Sequence, residues 1–284
     1  MSRAKNRPPR LEPHVAVSHP APPPTPEELS ERAKIAGPGA SGPGPTELRR
    51  TVERLALGDR RALGEIAAMA GLTSAEAWAA VTRIYGATTD AARIDPSHTV
   101  AAARVAAARV REFAASGGVR VAVATSRPAS LLTLHLSFAA LARTHGADVV
   151  DLADFGPIRV DGRTPRWLRW VGGVAVVSDG DALCDARDGE AAREWLFAIP
   201  RPSLVIADGP FAEVALERGI EVIALAGLDR PGVAVALARG GRGTVVPLYT
   251  DRPTRAYKVI EDLIARSDPE AGPGSPTGAT DAEV

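Results

Sequence analysis

Cysteine is almost missing: Cys184 is the one thiol in 284 residues. An internal disulfide is therefore excluded, which fits a reducing compartment. Net charge is missing as well, since 34 Lys and Arg balance 34 Asp and Glu. No global field draws the chain to nucleic acid or anionic lipid. Aromatics are 4% of residues, and Trp78, Trp167, Trp170 and Trp195 read as packing residues rather than a stacking platform. Histidine is scarce, at positions 14, 19, 98, 135 and 145, which argues against a His-rich zinc centre. His135 falls in a helical stretch beside Leu132 and Phe138 and reads as a packed histidine. No run approaches the roughly 18 apolar residues of a membrane span. Arg3, Lys5, Arg7 and Arg10 are not followed by an apolar segment, so no signal peptide is expected. The expectation is a soluble cytoplasmic protein.

What is there is unevenly spread. Of the 24 prolines, 11 fall in the first 45 residues, so 1–45 reads as a largely disordered Pro/Gly-rich tail. Within it, Thr25 can cap a short helix over Pro26–Ile35, with Glu27 and Glu28 in its first turn. Residues 267–284 read as a second, acidic disordered tail. Residues 46–118 read as a helical segment packing on the core. It holds Pro45–Ala56, Arg60–Ala70, Ser74–Tyr85 and a long Ala-rich helix capped by Asp95 with Pro96 at its first position.

From 119 to 266 the texture changes to that of an α/β domain. Val/Ile/Ala strands at 119–125, 147–152, 173–179, 203–208, 221–226 and 243–248 alternate with helical patterns at 128–144, 187–198, 210–218, 230–239 and 253–265. Continuous apolar strands are buried on both faces, as in parallel sheets. The expected fold is an open, mostly parallel sheet with flanking helices, a Rossmann-like sandwich. Residues 155–170 read as an inserted β-hairpin turning at Asp161-Gly162.

Ligands of such sheets bind beyond the carboxyl ends of the strands, and here each candidate strand ends beside a carboxylate, hydroxyl or arginine. The turn Thr125-Ser126-Arg127-Pro128 is the most chemical. Pro128 suits a first helical position, leaving Thr125, Ser126, Arg127 and backbone N–H groups to hold a phosphate or carboxylate. Asp179, Asp181 and Asp208 have the oxygen chemistry for Mg²⁺ or Mn²⁺, although Asp-Gly is also an ordinary turn pair. The stretch Asp179-Gly180-Asp181-Ala182-Leu183 superficially resembles the D-x-D motif of haloacid-dehalogenase-type phosphatases. Leu183 stands where those enzymes need a hydroxyl, which removes the match.

The segment Glu65–Thr73 has the spacing of a helix-turn-helix turn, which opens the alternative of a ligand-responsive repressor. The next helix begins with Ala75, Glu76 and Ala77 rather than base-reading Arg, Asn or Gln, so nucleic acid is not the expected partner.

Taken in order, Ile35-Ala36-Gly37, Asp95-Pro96, VAVATSRPASLLTL, GGVAVVSDG, LVIADGPFAEVALERGI and VVPLYTDRPTRAY resemble a family of bacterial, largely actinobacterial, phosphatases over about residues 34–265. The resemblance implies a cytoplasmic α/β protein that hydrolyses a small phosphorylated metabolite. Thr125, Ser126 and Arg127 would hold phosphate, and Asp179 and Asp208 would act in catalysis. The family pattern ends its first strand Thr-Gly-His-Pro, where this chain has Thr125-Ser126-Arg127-Pro128. It ends a later strand Ala-Asp-His-Gly, where this chain has Ala207-Asp208-Gly209-Pro210. Without those two histidines as general bases, a non-catalytic binder of a phosphometabolite or nucleotide is the alternative.

Overall fold

The computed structural model describes residues 22–38, 42–67, 69–153, 155–160, 164–187 and 189–266. Five helices come first: α1 (Pro26–Arg32), α2 (Pro45–Ala56), α3 (Arg60–Leu63), α4 (Ser74–Tyr85) and α5 (Pro96–Ala115). The alternating part follows with β1 (Arg120–Ala124), α6 (Pro128–Thr144), β2 (Asp148–Val149), β3 (Phe155–Val160), β4 (Thr164–Val171), β5 (Val174–Ser178) and β6 (Leu183–Cys184). It continues with α7 (Glu190–Ala198), β7 (Leu204–Asp208), α8 (Gly209–Glu217), β8 (Glu221–Ala226), α9 (Gly232–Ala238) and β9 (Gly243–Pro247). A 3₁₀ turn (Thr254–Tyr257) leads into α10 (Lys258–Arg266).

The strands form one mixed sheet in the order β3-β4-β5-β1-β7-β8-β9, with β2 beside β1 and β6 beside β5. The run β5-β1-β7-β8-β9 is parallel, and β3, β4 and β6 add antiparallel edges. Strands β5, β7 and β8 are buried along their whole length, as residues covered on both faces must be.

Alternation along these strands divides the core in two. Ala122, Ala124, Val205, Ala207, Val222 and Ala224 face one side, packed with residues of α2, α4, α7, α8 and α9. Val121, Val123, Leu204, Ile206, Ile223 and Leu225 face the other, against α5, α6 and α10. The strand period of two thus yields an open α/β sandwich. The smaller side chains lie on the first face, where Trp195 meets Phe211 edge-on at 5.3 Å. The N-terminal helices are shared between the faces: α4 packs on α9, and α5 packs along β9, where Thr99 Oγ1 donates to the Pro247 carbonyl at 2.6 Å.

One expectation is met and another needs correction. Within 1–45, the short helix expected after Thr25 forms over Pro26–Arg32. Thr25 and Glu28 form a capping box for α1, Ile35 and Ala36 are fully buried, and the Tyr249 N–H donates to the Ile35 carbonyl. Burial of two apolar side chains offsets the ordering cost that the Pro/Gly content suggested. The helix expected over Arg60–Ala70 ends at Leu63, because Gly64 turns to φ +64° and ψ −124°, outside any helical region. The spacing of Glu65–Thr73 therefore does not belong to a helix-turn-helix. The hairpin turn at Asp161-Gly162 and the tail 267–284 lie outside the described residues.

Candidate functional site

The sheet places the carboxyl ends of β1 and β7 side by side, with Ala124 opposite Ala207. One residue on, β1 leads into Thr125 and Ser126, and β7 ends in Asp208. The Ser126 N–H donates to Asp208 Oδ1 at 2.9 Å, and the Ser126 hydroxyl donates to Oδ2 at 2.5 Å. Both residues are almost wholly buried. A buried carboxylate needs such donors, and these two clamp it across 82 positions of sequence.

This clamp requires Gly209. Its φ is +52°, and a Cβ there would lie 2.5 Å from Ser126 Oγ. Asp208 also meets His135, about two turns into α6 on its buried face. The Leu131 carbonyl, which can only accept, sits 2.9 Å from Nδ1, so that nitrogen carries the ring proton. Nε2 then faces Asp208 Oδ1 at 3.5 Å. Complete burial drives the His135 pKa below its ordinary value, against the opposing pull of the Asp208 carboxylate.

Thr125 Oγ1 accepts the Arg127 N–H at 3.1 Å. Both hydroxyls of the turn are thus engaged, Thr125 within it and Ser126 by Asp208, while the Arg127 guanidinium reaches outward to Asp229 at 3.1 Å. Beyond Asp229, Arg230 donates to buried Glu213 at 2.8 Å, and Glu213 also accepts the Glu65 N–H at 3.0 Å. Gly64 permits this approach, since a Cβ there would lie 2.3 Å from Glu213 Oε2.

These groups border connected spaces. A crevice of about 10 Å³, room for roughly one water, is lined by Arg127, Asp208, Gly209, Asp229, Arg230 and Thr250 among others. On one side opens a cavity of 450 Å³ bounded by Glu47, Thr51, Tyr249, Thr250 and Asp251. Another, of 550 Å³, is bounded by arginines. Arg127 and Asp229 line all three.

The structure brings together Thr125, Ser126, Arg127 and Asp208, and leaves Asp179 and Asp181 apart. Asp179 closes the β5–β6 turn. Its Oδ1 accepts the N–H groups of Ala182 at 2.8 Å and Asp181 at 3.2 Å, and Oδ2 lies 3.8 Å from Arg166. The Ala182 N–H above all, then the Cys184 thiol, holds its carboxyl below the usual range. Among the described residues, no group of three His, Cys, Asp or Glu side chains gathers as metal ligands. Asp179, Asp181 and Asp208 therefore do not fit Mg²⁺ or Mn²⁺ as a set, because two serve a hairpin and the third is clamped by Ser126. No helix of the described residues is long and apolar enough to cross a membrane.

Sequence reasoning read His135 as a packed histidine, in keeping with its burial, and missed Gly209, Glu213 and Arg230. The signal for Glu213 was an acid inside the apolar run Phe211–Ala215. For Gly209 it was the residue type itself, directly after a strand-end Asp.

Comparison with known proteins agrees with the early resemblance. A phosphatase of Streptomyces coelicolor is 31% identical over 181 residues, covering 59% of this chain and 66% of that protein, just under two thirds of its length. The match to the phosphatase family as a whole runs over residues 31–268, from the end of α1 through α10, and includes every residue of the clamp. The chain belongs to the phosphatase family.

Proposed function

We propose that the chain hydrolyses the phosphomonoester of a small metabolite at the crevice where β1, β7 and β8 end. One observation carries this reading: a buried, clamped carboxylate, Asp208, borders a water-sized space flanked by Arg127 and Arg230. The guanidinium groups suit a phosphoryl oxyanion, and the positive end of α6 adds to them. Asp208 takes a proton from water as the water oxygen attacks phosphorus. The ester P–O bond breaks, and the departing alkoxide takes the proton back. Ser126 fixes the carboxylate's orientation, and its buried setting keeps its charge effective. No step is drawn through a metal or through Asp179.

A second reading, a binder without turnover, has its own support: Asp208 is 1% exposed and both its oxygens already accept hydrogen bonds from Ser126.

Inorganic phosphate release from a panel of sugar, polyol and nucleoside monophosphates, with and without Mg²⁺ or Mn²⁺, separates the two. Hydrolysis is expected, with kcat lowered by about 10²-fold or more in Asp208→Asn. If no substrate turns over while phosphate esters raise Tm, the binding reading replaces it.

A further inference from the structure

The 550 Å³ cavity beyond Arg127 is lined by Arg60, Arg61, Arg127, Arg187 and Arg230, with Glu65, Glu213 and Asp229. Five arginines against three carboxylates leave the wall positive. Each carboxylate is already engaged: Glu213 by Arg230, Asp229 by Arg127, and Glu65 by Arg193 and by the Gly189 N–H. Arg60, Arg61 and Arg187 are exposed and pair with no carboxylate among the described residues. They come from two distant segments, the α3 turn and the approach to α7, which the fold brings to one wall.

The 450 Å³ cavity, which shares Arg127, has the opposite character. Glu47 and Asp251 stand there with Thr51, Tyr249 and Thr250. Such a surface suits hydroxyl groups and repels a second anion.

We infer that the substrate carries two anionic groups, the scissile phosphoryl at Arg127 and a second phosphate or carboxylate seated by Arg60, Arg61 and Arg187, with its hydroxyl-bearing part toward Glu47 and Asp251. This rests on the hydrolytic reading for the first group only. The second group is held by residues that take no part in the chemistry, and an unpaired guanidinium is the side chain best suited to either oxyanion.

The test uses the full chain and three graded probes: glycerol 3-phosphate, 3-phosphoglycerate and 2,3-bisphosphoglycerate. Calorimetry gives Kd, and phosphate release gives kcat/KM. At least one of the two probes with added anionic groups (3-phosphoglycerate with a carboxylate, 2,3-bisphosphoglycerate with a carboxylate and a second phosphate) is expected to bind about tenfold tighter than glycerol 3-phosphate or more. A gain already present with 3-phosphoglycerate identifies a carboxylate as the second group, and a gain confined to 2,3-bisphosphoglycerate identifies a phosphate. In the triple variant Arg60→Gln, Arg61→Gln, Arg187→Gln, that advantage falls to within about twofold while glycerol 3-phosphate is unaffected. These side chains are exposed, and an unchanged Tm shows that folding is intact. Equal affinity for all three probes, or an advantage that survives the triple variant, overturns the inference. Binding selectivity without phosphate release upholds this site and removes the hydrolytic reading. Release from all three probes with equal kcat/KM and equal affinity does the reverse.

Discussion

At the residue scale the clamp depends on a steric exchange between two positions. Ser126 fills the space that a side chain at 209 would need. Gly209→Ala should destabilise the fold by about 2 kcal/mol, combining a left-handed backbone with the collision at Ser126 Oγ. In a Ser126→Ala background the collision with Oγ disappears, leaving the backbone strain and a milder approach to the Cβ of residue 126 at 3.2 Å. Denaturant unfolding of the four proteins in this cycle should therefore show a coupling of about 1 kcal/mol. Additivity would mean that the contact is relieved elsewhere. Ser126→Ala alone removes a donor from a buried carboxylate and should cost about 1–3 kcal/mol. It should also lower kcat more than it raises KM, because the serine positions Asp208 and Asp208 acts on the attacking water.

At the scale of elements, α4 stands behind the site, packed on α9, while α3 forms part of its wall. Thr73 accepts the Glu76 N–H, and Glu76 accepts in return from Thr73, a reciprocal box at the start of α4. The Thr73 backbone and side-chain donors, chiefly, hold the Glu76 carboxyl below its usual range. Thr73→Ala should cost about 1 kcal/mol in urea unfolding and leave kcat/KM unchanged, since α4 does not border the crevice. A loss of activity would show that α4 sets the position of the neighbouring α9 and Arg230. The α3 turn behaves differently. It holds one turn of helix and then gives way to Gly64, whose missing side chain lets Glu213 accept from the Glu65 N–H. Helical periodicity alone extends α3 to Ala70. The competing tertiary bond to Glu213 wins because it gives the second oxygen of that buried acid a donor, Arg230 already serving the first.

At the scale of the whole molecule, the buried His135–Asp208 pair links the site to global stability. Burial holds the His135 pKa in the folded state below the ordinary value of about 6.5. As pH falls through that value, the unfolded chain takes a proton that the folded chain refuses. Stability is therefore greatest above about pH 6.5 and declines below it, by up to about 1.4 kcal/mol per pH unit for this group. Tm measured from pH 7.5 to 5.5 should fall, and His135→Gln should flatten that part of the decline. If stability rose on acidification and the variant abolished the rise, His135 would instead be taking a proton toward Asp208.

The sequence by itself determined the sandwich, since alternating and continuous apolar runs admit few other ways to bury both faces of the strands. It also marked Thr125-Ser126-Arg127 and Asp208 as strand-end groups, because the chain must turn where each strand stops. Only the tertiary structure decided that β1 and β7 are neighbours, which makes Ser126 and Asp208 partners, and that Asp179 ends in a hairpin of its own. Strand order is set by how whole helices pack across the sheet. A carboxylate's role is set by the donors that packing brings to it, and neither is written in the local pattern of residues.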